Sequence, residues 1–371
     1  MAVRNHRLSV MEIVKNGAEI FHNLRWSHGI VVCPYCGSVH IKEYDGYRYK
    51  CNSCKNRFSD KTNTLMHGSK LSVSTWIHAI YEMATDNFIS SIVLANKLGI
   101  NQKSAWLLQT KIRNSMSQDR TILEGGIVAQ DEMYIGGSLS NFHYRRKWDL
   151  LRSGRFIAGD EERYSKKALF ALNSSLKQPV FGMTDGDKVV LYATPNPIKK
   201  EYIRKIYKAH TIKCGIVVSD ESQLYNGWEN ATGSVLYTNN HHNNQYTTDN
   251  GLTSNAIENI FSWYKRGFNG KITHCRYHQL YLNEFAFRYN NRGLSTKEMF
   301  AMIVGSTIGS HVTYKDIRAY KPFSQFDIPK NKHVGDLSIE DIKHLLEYGC
   351  AERIEQNGMV YTLRDMREGL F

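Results

Sequence analysis

The chain has 371 residues, which is enough for two or three domains with a substantial buried core. Its hydrophobic fraction of 42% and charged fraction of 22% are ordinary for a globular protein and exclude extensive disorder. A net charge of +13 favours a polyanionic partner such as nucleic acid, although charge alone does not separate DNA from a membrane surface. The sequence contains no apolar run long enough to span a bilayer and no secretory signal, so the expected location is the cytoplasm.

The cysteines predict a metal site. There are seven, and four of them form two Cys-x-x-Cys pairs separated by fourteen residues: Cys33, Cys36, Cys51 and Cys54. Zinc binds four thiolates in a tetrahedron, and each pair supplies two of them from one turn. Residues 39–44 and 47–50 are predicted strands joined by an Asp-Gly turn, which completes a zinc ribbon. We therefore expect a structural Zn²⁺ rather than two unlinked pairs of reduced cysteines.

Residues 1–30 are predicted to form an amphipathic helix that packs on this ribbon, with an apolar side that includes Val10, Ile13 and Val14. The ribbon itself is rich in basic side chains that we expect to be exposed: Lys42, Arg48, Lys50, Lys55 and Arg57. Arg48 and Lys50 are accordingly candidate DNA contacts.

Three helices are predicted next, over residues 72–83, 89–98 and 102–116. Ala95 and Gly99 have the spacing of the small residue and the turn glycine in a helix-turn-helix. In that interpretation the recognition helix opens with candidate DNA-binding residues: Asn101, Gln102 and Lys103. A plain three-helix bundle is the alternative, and the adjacent ribbon and the positive charge favour DNA binding.

A strand is predicted over residues 127–135, after a boundary at 123–126, and it carries Asp131 in its middle. A carboxylate within an apolar strand is costly unless it binds something. Glu132 points to the opposite face, so only one of the two acids is expected to be a ligand.

Residues 138–165 are rich in Arg, Lys, Ser and Tyr and are predicted to be a loop, which either follows a DNA backbone or is simply solvated. Strands are predicted at 168–172, 180–183 and 188–192, and a helix at 198–209. The Asp-Gly-Asp sequence at 185–187 resembles a metal motif in composition, but a turn is the better interpretation.

The β-branched run at 215–220 predicts a strand covered on both faces, with Asp220 at its carboxyl end, where ligands of open α/β sheets gather. A short strand follows at 235–237. His241 and His242 then begin a polar segment that either touches a phosphate or is a surface loop.

The segment after this loop predicts a helix that Ser254 caps and Gly267 ends. One side is apolar: Ile257, Ile260, Phe261 and Tyr264. The neighbouring side is polar: Asn255, Glu258, Ser262 and Lys265. For this segment alone, an ordinary solvated face is the simpler interpretation. A further helix is predicted at 277–291, with Glu284 and Arg288 as an i,i+4 pair.

The order of these strands and helices is that of an RNase H-like fold, in which three acids can meet at one edge of the sheet: Asp131, Asp220 and Glu258. Three carboxylates would hold two divalent cations about 3.5–4 Å apart, one activating the attacking oxygen and one stabilising the leaving 3′ oxygen. Lys265 would place a positive charge near the phosphate.

The chain resembles the bacterial insertion-sequence transposases that carry an N-terminal zinc ribbon before a DDE catalytic domain. The matching segments are the ribbon cysteines and residues 131–137, 219–220, 255–258, 265–267 and 281–292. The resemblance implies an Asp-Asp-Glu triad followed by Lys seven positions later, which are met by Asp131, Asp220, Glu258 and Lys265. It also implies Mg²⁺ or Mn²⁺ as the catalytic cofactor, and Asn255 is a secondary candidate for the third position.

The resemblance further implies a bacterial, nucleoid-associated enzyme that binds terminal inverted repeats and target DNA, with no membrane partner. Because two ends are joined, we expect at least a homodimer in a synaptic complex. The predicted multidomain α+β organisation is a helix and ribbon at 1–62, a helix-turn-helix region at 70–120, an RNase H-like domain at 124–315 and an appendage at 323–371. The appendage is predicted to contain a helix at 337–348 and a hairpin around Asn357-Gly358, which is either part of a winged helix or a packing element. The alternative function is a non-catalytic DNA-binding regulator derived from a transposase.

Overall fold

The computed structural model describes residues 10–136, 177–196, 198–212, 215–239, 253–268, 277–319, 353–356 and 359–362. The chain divides into two compact units. The first unit contains the residues up to Ser117 together with 267–273 and 283–320, and the second contains 118–266, 274–282 and the residues from Lys321 onward. Within the described residues, no helix is both long enough and apolar enough to cross a membrane.

The first unit begins with helix α1 (Val10–Arg25) and a three-stranded antiparallel sheet of β1 (Ile41–Tyr44), β2 (Arg48–Cys51) and β3 (Arg57–Ser59). The predicted hairpin is confirmed, since Tyr44 pairs with Arg48 across the turn. Gly46 and Tyr47 both have positive φ angles, +75° and +57°, as this tight turn requires. The third strand was not predicted, because its three residues carry too short a pattern.

Helix α1 buries a different stripe from the one predicted. Ile13, Gly17 and Phe21 are buried, whereas Val10 and Val14 are exposed. Gly17 sets this rotation, because a Cβ placed on it would lie 2.7 Å from Ser74 Cα. The glycine lets α1 approach the next helix closely, and a count of apolar residues does not detect this.

The three predicted helices are confirmed as α2 (Val73–Thr85), α3 (Ser91–Leu98) and α4 (Gln102–Ser115). Each begins with a side-chain oxygen that accepts a bond from the first helical turn, contributed by Ser72, Ser90 and Asn101. Gly99 ends α3 with φ of +65°, and Ala95 and Ala105 are buried around this turn. The fold therefore has the helix pair and the tight turn that the sequence predicts.

The later helices of the first unit complete this core. Helices α8 (His278–Asn290), α9 (Thr296–Ser306) and α10 (Tyr314–Ala319) follow one another. Phe300, Ile303 and Val304 pack in the same apolar cluster as the side chains of α2 and α4. Leu65 N–H also donates to Thr307 O at 3.0 Å. Residues from the end of the predicted 124–315 region are thus part of the core formed by the N-terminal helices.

The second unit is built on a five-stranded sheet of β4 (Ile127–Ile135), β5 (Gln178–Thr184), β6 (Val189–Ala193), β7 (Ile216–Asp220) and β8 (Val235–Asn239). The strand order is β6-β5-β4-β7-β8. The first three strands in the sequence pair antiparallel, whereas β4 pairs parallel with β7 and β7 parallel with β8. This mixed sheet confirms the predicted RNase H-like arrangement, in which β4 and β7 are neighbours in the centre.

Helices α5 (Lys200–His210), α6 (Trp228–Thr232) and α7 (Asn255–Phe268) accompany this sheet. The predicted apolar side of α7 is confirmed, since its members are all buried: Ile257, Ile260, Phe261 and Tyr264. Phe261 lies directly over Gly182 of β5, where a Cβ would come within 2.5 Å of the ring. Gly182 pairs with Asp131 in the neighbouring strand, so this glycine allows α7 to approach the sheet beside that acid.

Gly267 does not end α7 as predicted, because the helix continues to Phe268. A Cβ on Gly267 would lie 3.1 Å from the Phe88 ring, so this position is limited by packing rather than by a left-handed cap. The predicted turn at 185–187 is confirmed, since Asp185 Oδ1 accepts from Lys188 N–H at 2.8 Å and Gly186 has φ of +92°.

The C-terminal hairpin is also confirmed, since β9 (Arg353–Gln356) pairs antiparallel with β10 (Met359–Thr362). Several other predictions lie outside the described residues: the loop at 138–165, the strand at 168–172, the histidines at 241 and 242, and the helix at 337–348.

Candidate functional site

The four ribbon cysteines come together at one end of the small sheet. Their sulfur atoms lie within 4.8 Å of one another, with Cys33 to Cys54 and Cys36 to Cys51 both at 3.6 Å. A tetrahedral zinc with Zn–S bonds of about 2.3 Å separates its sulfurs by about 3.8 Å, so the group fits zinc. The backbone N–H of Cys54 lowers the pKa of Cys51 to about 6, which favours the thiolate that the metal requires.

A buried carboxylate joins this ribbon to α1. Asp60 accepts hydrogen bonds from Trp26 Nε1 at 2.8 Å and His22 Nδ1 at 2.9 Å. Arg25 donates to the carbonyl of Thr62 at 2.8 Å, and the His22 ring stacks on Tyr47. The helix is therefore held by residues whose positions depend on the strands that the zinc ligands fix.

Replacing Cys33 with serine is expected to remove the zinc and unfold the ribbon, because three remaining thiolates do not complete the structural site. Zinc stoichiometry, measured by mass spectrometry of the purified chain, should fall from one ion toward none. Binding to DNA ends should weaken, while the carboxylate site of the second unit keeps its affinity for divalent cations. Cys350→Ser, which replaces a cysteine outside the Cys-x-x-Cys pairs, is the matched control. Unchanged zinc content in the Cys33 variant would show that the four-thiolate assignment is wrong.

Three acids converge in the second unit. Asp131 lies in the middle of β4, Asp220 ends β7 and Glu258 lies in the first turn of α7. One oxygen from each carboxylate lies within 4.8 Å of the others, and all three side chains are partly buried. The strands β4 and β7 are hydrogen-bonded neighbours in parallel register, which brings the two aspartates to one place despite 89 positions of separation.

The electrostatics of this cluster favour a cation. Burial, together with the nearby carboxylates of Glu132, Asp220 and Glu258, raises the pKa of Asp131 to about 7. The backbone N–H of Glu132, which donates to Asp131 Oδ1 at 2.7 Å, opposes that shift. Like charges held this close are costly unless a proton or a metal ion neutralises them. An oxygen-only set of three acids suits Mg²⁺ or Mn²⁺, so the residues fit the predicted catalytic cofactor.

The raised pKa of Asp131 gives a prediction for metal binding. Below about pH 7 a cation must displace the proton of this carboxyl group, so affinity for Mn²⁺ should fall about tenfold for each pH unit below 7 and level off above it. The same proton favours the metal-free fold at low pH, and this contribution is lost as the pH rises toward 7. Mn²⁺ titrations followed by electron paramagnetic resonance measure the affinity, and Asp131→Asn should abolish the pH dependence. Equal affinity of the wild-type chain at pH values on both sides of 7 would contradict the prediction.

Glu132 lies outside this cluster, as its position on the opposite face of β4 predicts. Among the described residues, its carboxylate accepts a hydrogen bond from the Tyr225 hydroxyl. Burial raises the pKa of Glu132, and that of Tyr225 is raised well above its usual range, also chiefly by burial. The pair braces β4 against the segment that follows Asp220.

Ser254 is the residue of the site that sequence reasoning missed. It precedes α7 as predicted, but its hydroxyl donates to Asp220 Oδ1 at 3.1 Å and to Glu258 Oε1 at 2.9 Å. The side chain is fully buried between the two acids. A serine before a helix is so common that its type and position gave no signal of this second contact.

Comparison with known proteins bears on both metal sites. Residues 17–57 match the transposase zinc-ribbon domain, and residues 122–290 match the ISXO2-like transposase domain. The first match contains the four cysteines, and the second contains the three acids. The chain belongs to the insertion-sequence transposases.

A relative is described as an uncharacterized protein in transposable element ISH50 from Halobacterium salinarum. It is 26% identical over 129 residues, which cover 34% of this chain and 43% of the relative. The match therefore spans less than half of that protein. No solved structure matches the chain.

The remaining catalytic candidates of the transposase lie on α7. Lys265 is exposed and lies about 10 Å along the helix axis from Glu258, at the 1.5 Å rise of each residue. It is on the same side of the helix, because seven residues make nearly two turns. Asn255 is the first residue of α7 and is also exposed. The roles of both residues stay predictions.

The candidate DNA-binding residues differ in what their side chains contact. Asn101 Oδ1 accepts from Ser104 N–H at 2.8 Å as a helix cap, and Gln102 Nε2 donates to Ser91 at 3.3 Å. Lys103 and Arg48 are exposed, whereas Lys50 is half-buried rather than exposed as expected. Asn101 therefore has a structural use of its own, and DNA contact by any of the five residues stays a prediction.

Proposed function

We propose that this protein is an active transposase that cleaves the DNA ends of its element and joins them to target DNA. The observation that carries the proposal is the convergence of Asp131, Asp220 and Glu258 within 4.8 Å in an RNase H-like sheet. A DNA-binding scaffold has no need for three acids at such a distance, because their mutual repulsion only reduces stability.

Each acid has a role in this proposal. Asp131 and Asp220 bind divalent cations from adjacent strands, and Glu258 completes the ligand set from α7. Mg²⁺ or Mn²⁺ held there would supply an activated attacking oxygen and charge stabilisation for the departing 3′ oxygen. Lys265 provides a positive charge along the same side of α7, where it contacts a phosphate of the bound strand.

DNA binding is assigned to the modules before the catalytic domain. The terminal inverted repeats are bound by the zinc ribbon and by the helix pair α3–α4, with Lys103 and Arg48 as the exposed cations. The net charge of +13 favours this partner, because neutralised phosphates release counterions. Since two ends must be joined, the active species is proposed to be a homodimer or a larger synaptic complex.

A second candidate is a regulator that binds DNA without cutting it. It has the same ribbon and the same helices, and it is favoured by the match of residues 17–57 to a domain that lies apart from the three acids. The two candidates differ in one requirement, because only the enzyme needs a divalent cation at the carboxylates.

The deciding experiment incubates the full chain with a plasmid that carries the element's two ends and with Mg²⁺. Strand cleavage at the ends, followed by joined products on gels, is expected with Mg²⁺ or Mn²⁺ and not with EDTA. Binding of the ends without any cleavage in either cation would favour the regulator.

A further inference from the structure

We propose that Ser254 is a positioning residue that fixes Asp220 and Glu258 in their cation-binding orientation before the cation arrives. This inference rests on the proposed function, since it concerns the same carboxylates. Its starting point is the pair of hydrogen bonds from one buried hydroxyl, at 3.1 Å to Asp220 Oδ1 and 2.9 Å to Glu258 Oε1. One side chain thus links the acid of a strand to the acid of a helix.

The backbone holds this hydroxyl in place. The carbonyl oxygen of Ser254 accepts from the N–H groups of Ile257 and Glu258, at 3.0 and 3.4 Å, as the first turn of α7 forms. Glu258 lies four residues later and therefore on the same side of the helix, one turn further on. Ser254 is completely buried, so water does not compete for its hydroxyl group.

Ordinary helix capping does not account for this geometry. At Ser72, Ser90 and Ser295, the hydroxyl oxygen accepts from a backbone N–H of the first turn, as a capping serine does. At Ser254 the hydroxyl group donates to carboxylates instead. A cap stabilises a helix, whereas a donor between two acids also determines where their oxygens lie.

The expected consequence concerns metal affinity. Two carboxylates without a cation repel each other, and their side chains separate unless a donor holds them. The hydroxyl engages one oxygen of each acid, so Ser254 leaves the second oxygen of each for the cation. Groups that orient metal ligands typically contribute 10–100-fold to affinity, so removing the hydroxyl should weaken binding by at least about tenfold.

The test uses the full chain with zinc in its ribbon, and it measures Mn²⁺ binding by electron paramagnetic resonance. Ser254→Ala and Ser254→Gly remove the hydroxyl group, and glycine is nearly neutral as a helix cap, so at least one variant should fold. Ser254→Thr keeps the hydroxyl group. Ser262→Ala is the matched control, because Ser262 is exposed on the same helix.

We expect the alanine and glycine variants to bind Mn²⁺ about tenfold or more weakly, and the threonine and Ser262 variants to bind like the wild type. Wild-type affinity in either hydroxyl-free variant, even with a lower metal-free melting temperature, would overturn the inference, because it would leave Ser254 with a capping role alone. Asp220→Ala, measured in parallel, separates the two proposals. If that variant also binds Mn²⁺ normally, the carboxylate site itself is wrong and the proposed function fails with it.

Discussion

Replacing Asp220 with alanine is expected to abolish end cleavage and strand transfer while the protein stays folded and binds DNA ends. Asp220 is the acid that β7 places beside Asp131, and its removal leaves too few oxygens to hold the cations. Loss of a principal source of transition-state stabilisation lowers rates by about 10²–10³-fold, and loss of a metal ligand should reach the upper part of that range. Asp131→Ala and Glu258→Ala should behave in the same way.

Rates of cleavage with Mg²⁺ on DNA that carries the element's ends measure this effect. Glu201→Ala is a matched control, since Glu201 is an exposed acid on α5 in the same unit. Binding of the same DNA, measured without cations, shows whether each variant still recognises the ends. Retained cleavage in any one of the three carboxylate variants would remove that residue from the triad.

Replacing Glu284 with alanine is expected to destabilise the first unit by about 3–5 kcal/mol, which is the usual effect of leaving one member of a buried ion pair alone. Glu284 is fully buried, and its Oε2 accepts from Arg113 Nε at 2.6 Å. Its Oε1 accepts from Phe88 N–H at 3.4 Å and from Arg288 at 3.5 Å. Without this carboxylate, the Arg113 guanidinium stays buried with its charge uncompensated.

Chemical denaturation of the full chain, followed by hydrogen exchange of α4 and α8, measures this loss within the unit concerned. Glu298→Ala is the comparison variant, because Glu298 is an exposed member of a capping box on α9 and should cost only about 1 kcal/mol. Glu284→Gln keeps the shape and one acceptor, so it should lie between the two. A Glu284→Ala variant no less stable than Glu298→Ala would mean that the buried pair contributes little.

The same glutamate illustrates how far sequence reasoning reached. The i,i+4 pair of Glu284 and Arg288 was predicted from spacing on one helix, and it is present at 3.5 Å. The shorter contact is with Arg113, which lies 171 positions earlier in the chain. Nothing local in the sequence marks Arg113 as its partner, because burial of both side chains depends on how α4 and α8 pack.

Local patterns predicted the zinc ribbon well. The two Cys-x-x-Cys pairs and the turn residues between the strands are set by short-range geometry, and they leave few alternatives. Gly267 shows the opposite case. Its position after an amphipathic run resembles a helix end, yet the helix continues and the glycine is needed beside Phe88.

The sequence by itself determined the classes of residue and the order of strands and helices. It therefore predicted an RNase H-like sheet that carries Asp131 and Asp220 and a helix that carries Glu258. Only the tertiary structure decided which oxygens meet, that Ser254 lies between two of these acids, and that Glu132 turns away to Tyr225. The physical reason is that propensity and periodicity act over a few residues, whereas side-chain contacts depend on the register of β4 against β7 and on the close approach of α7 over Gly182.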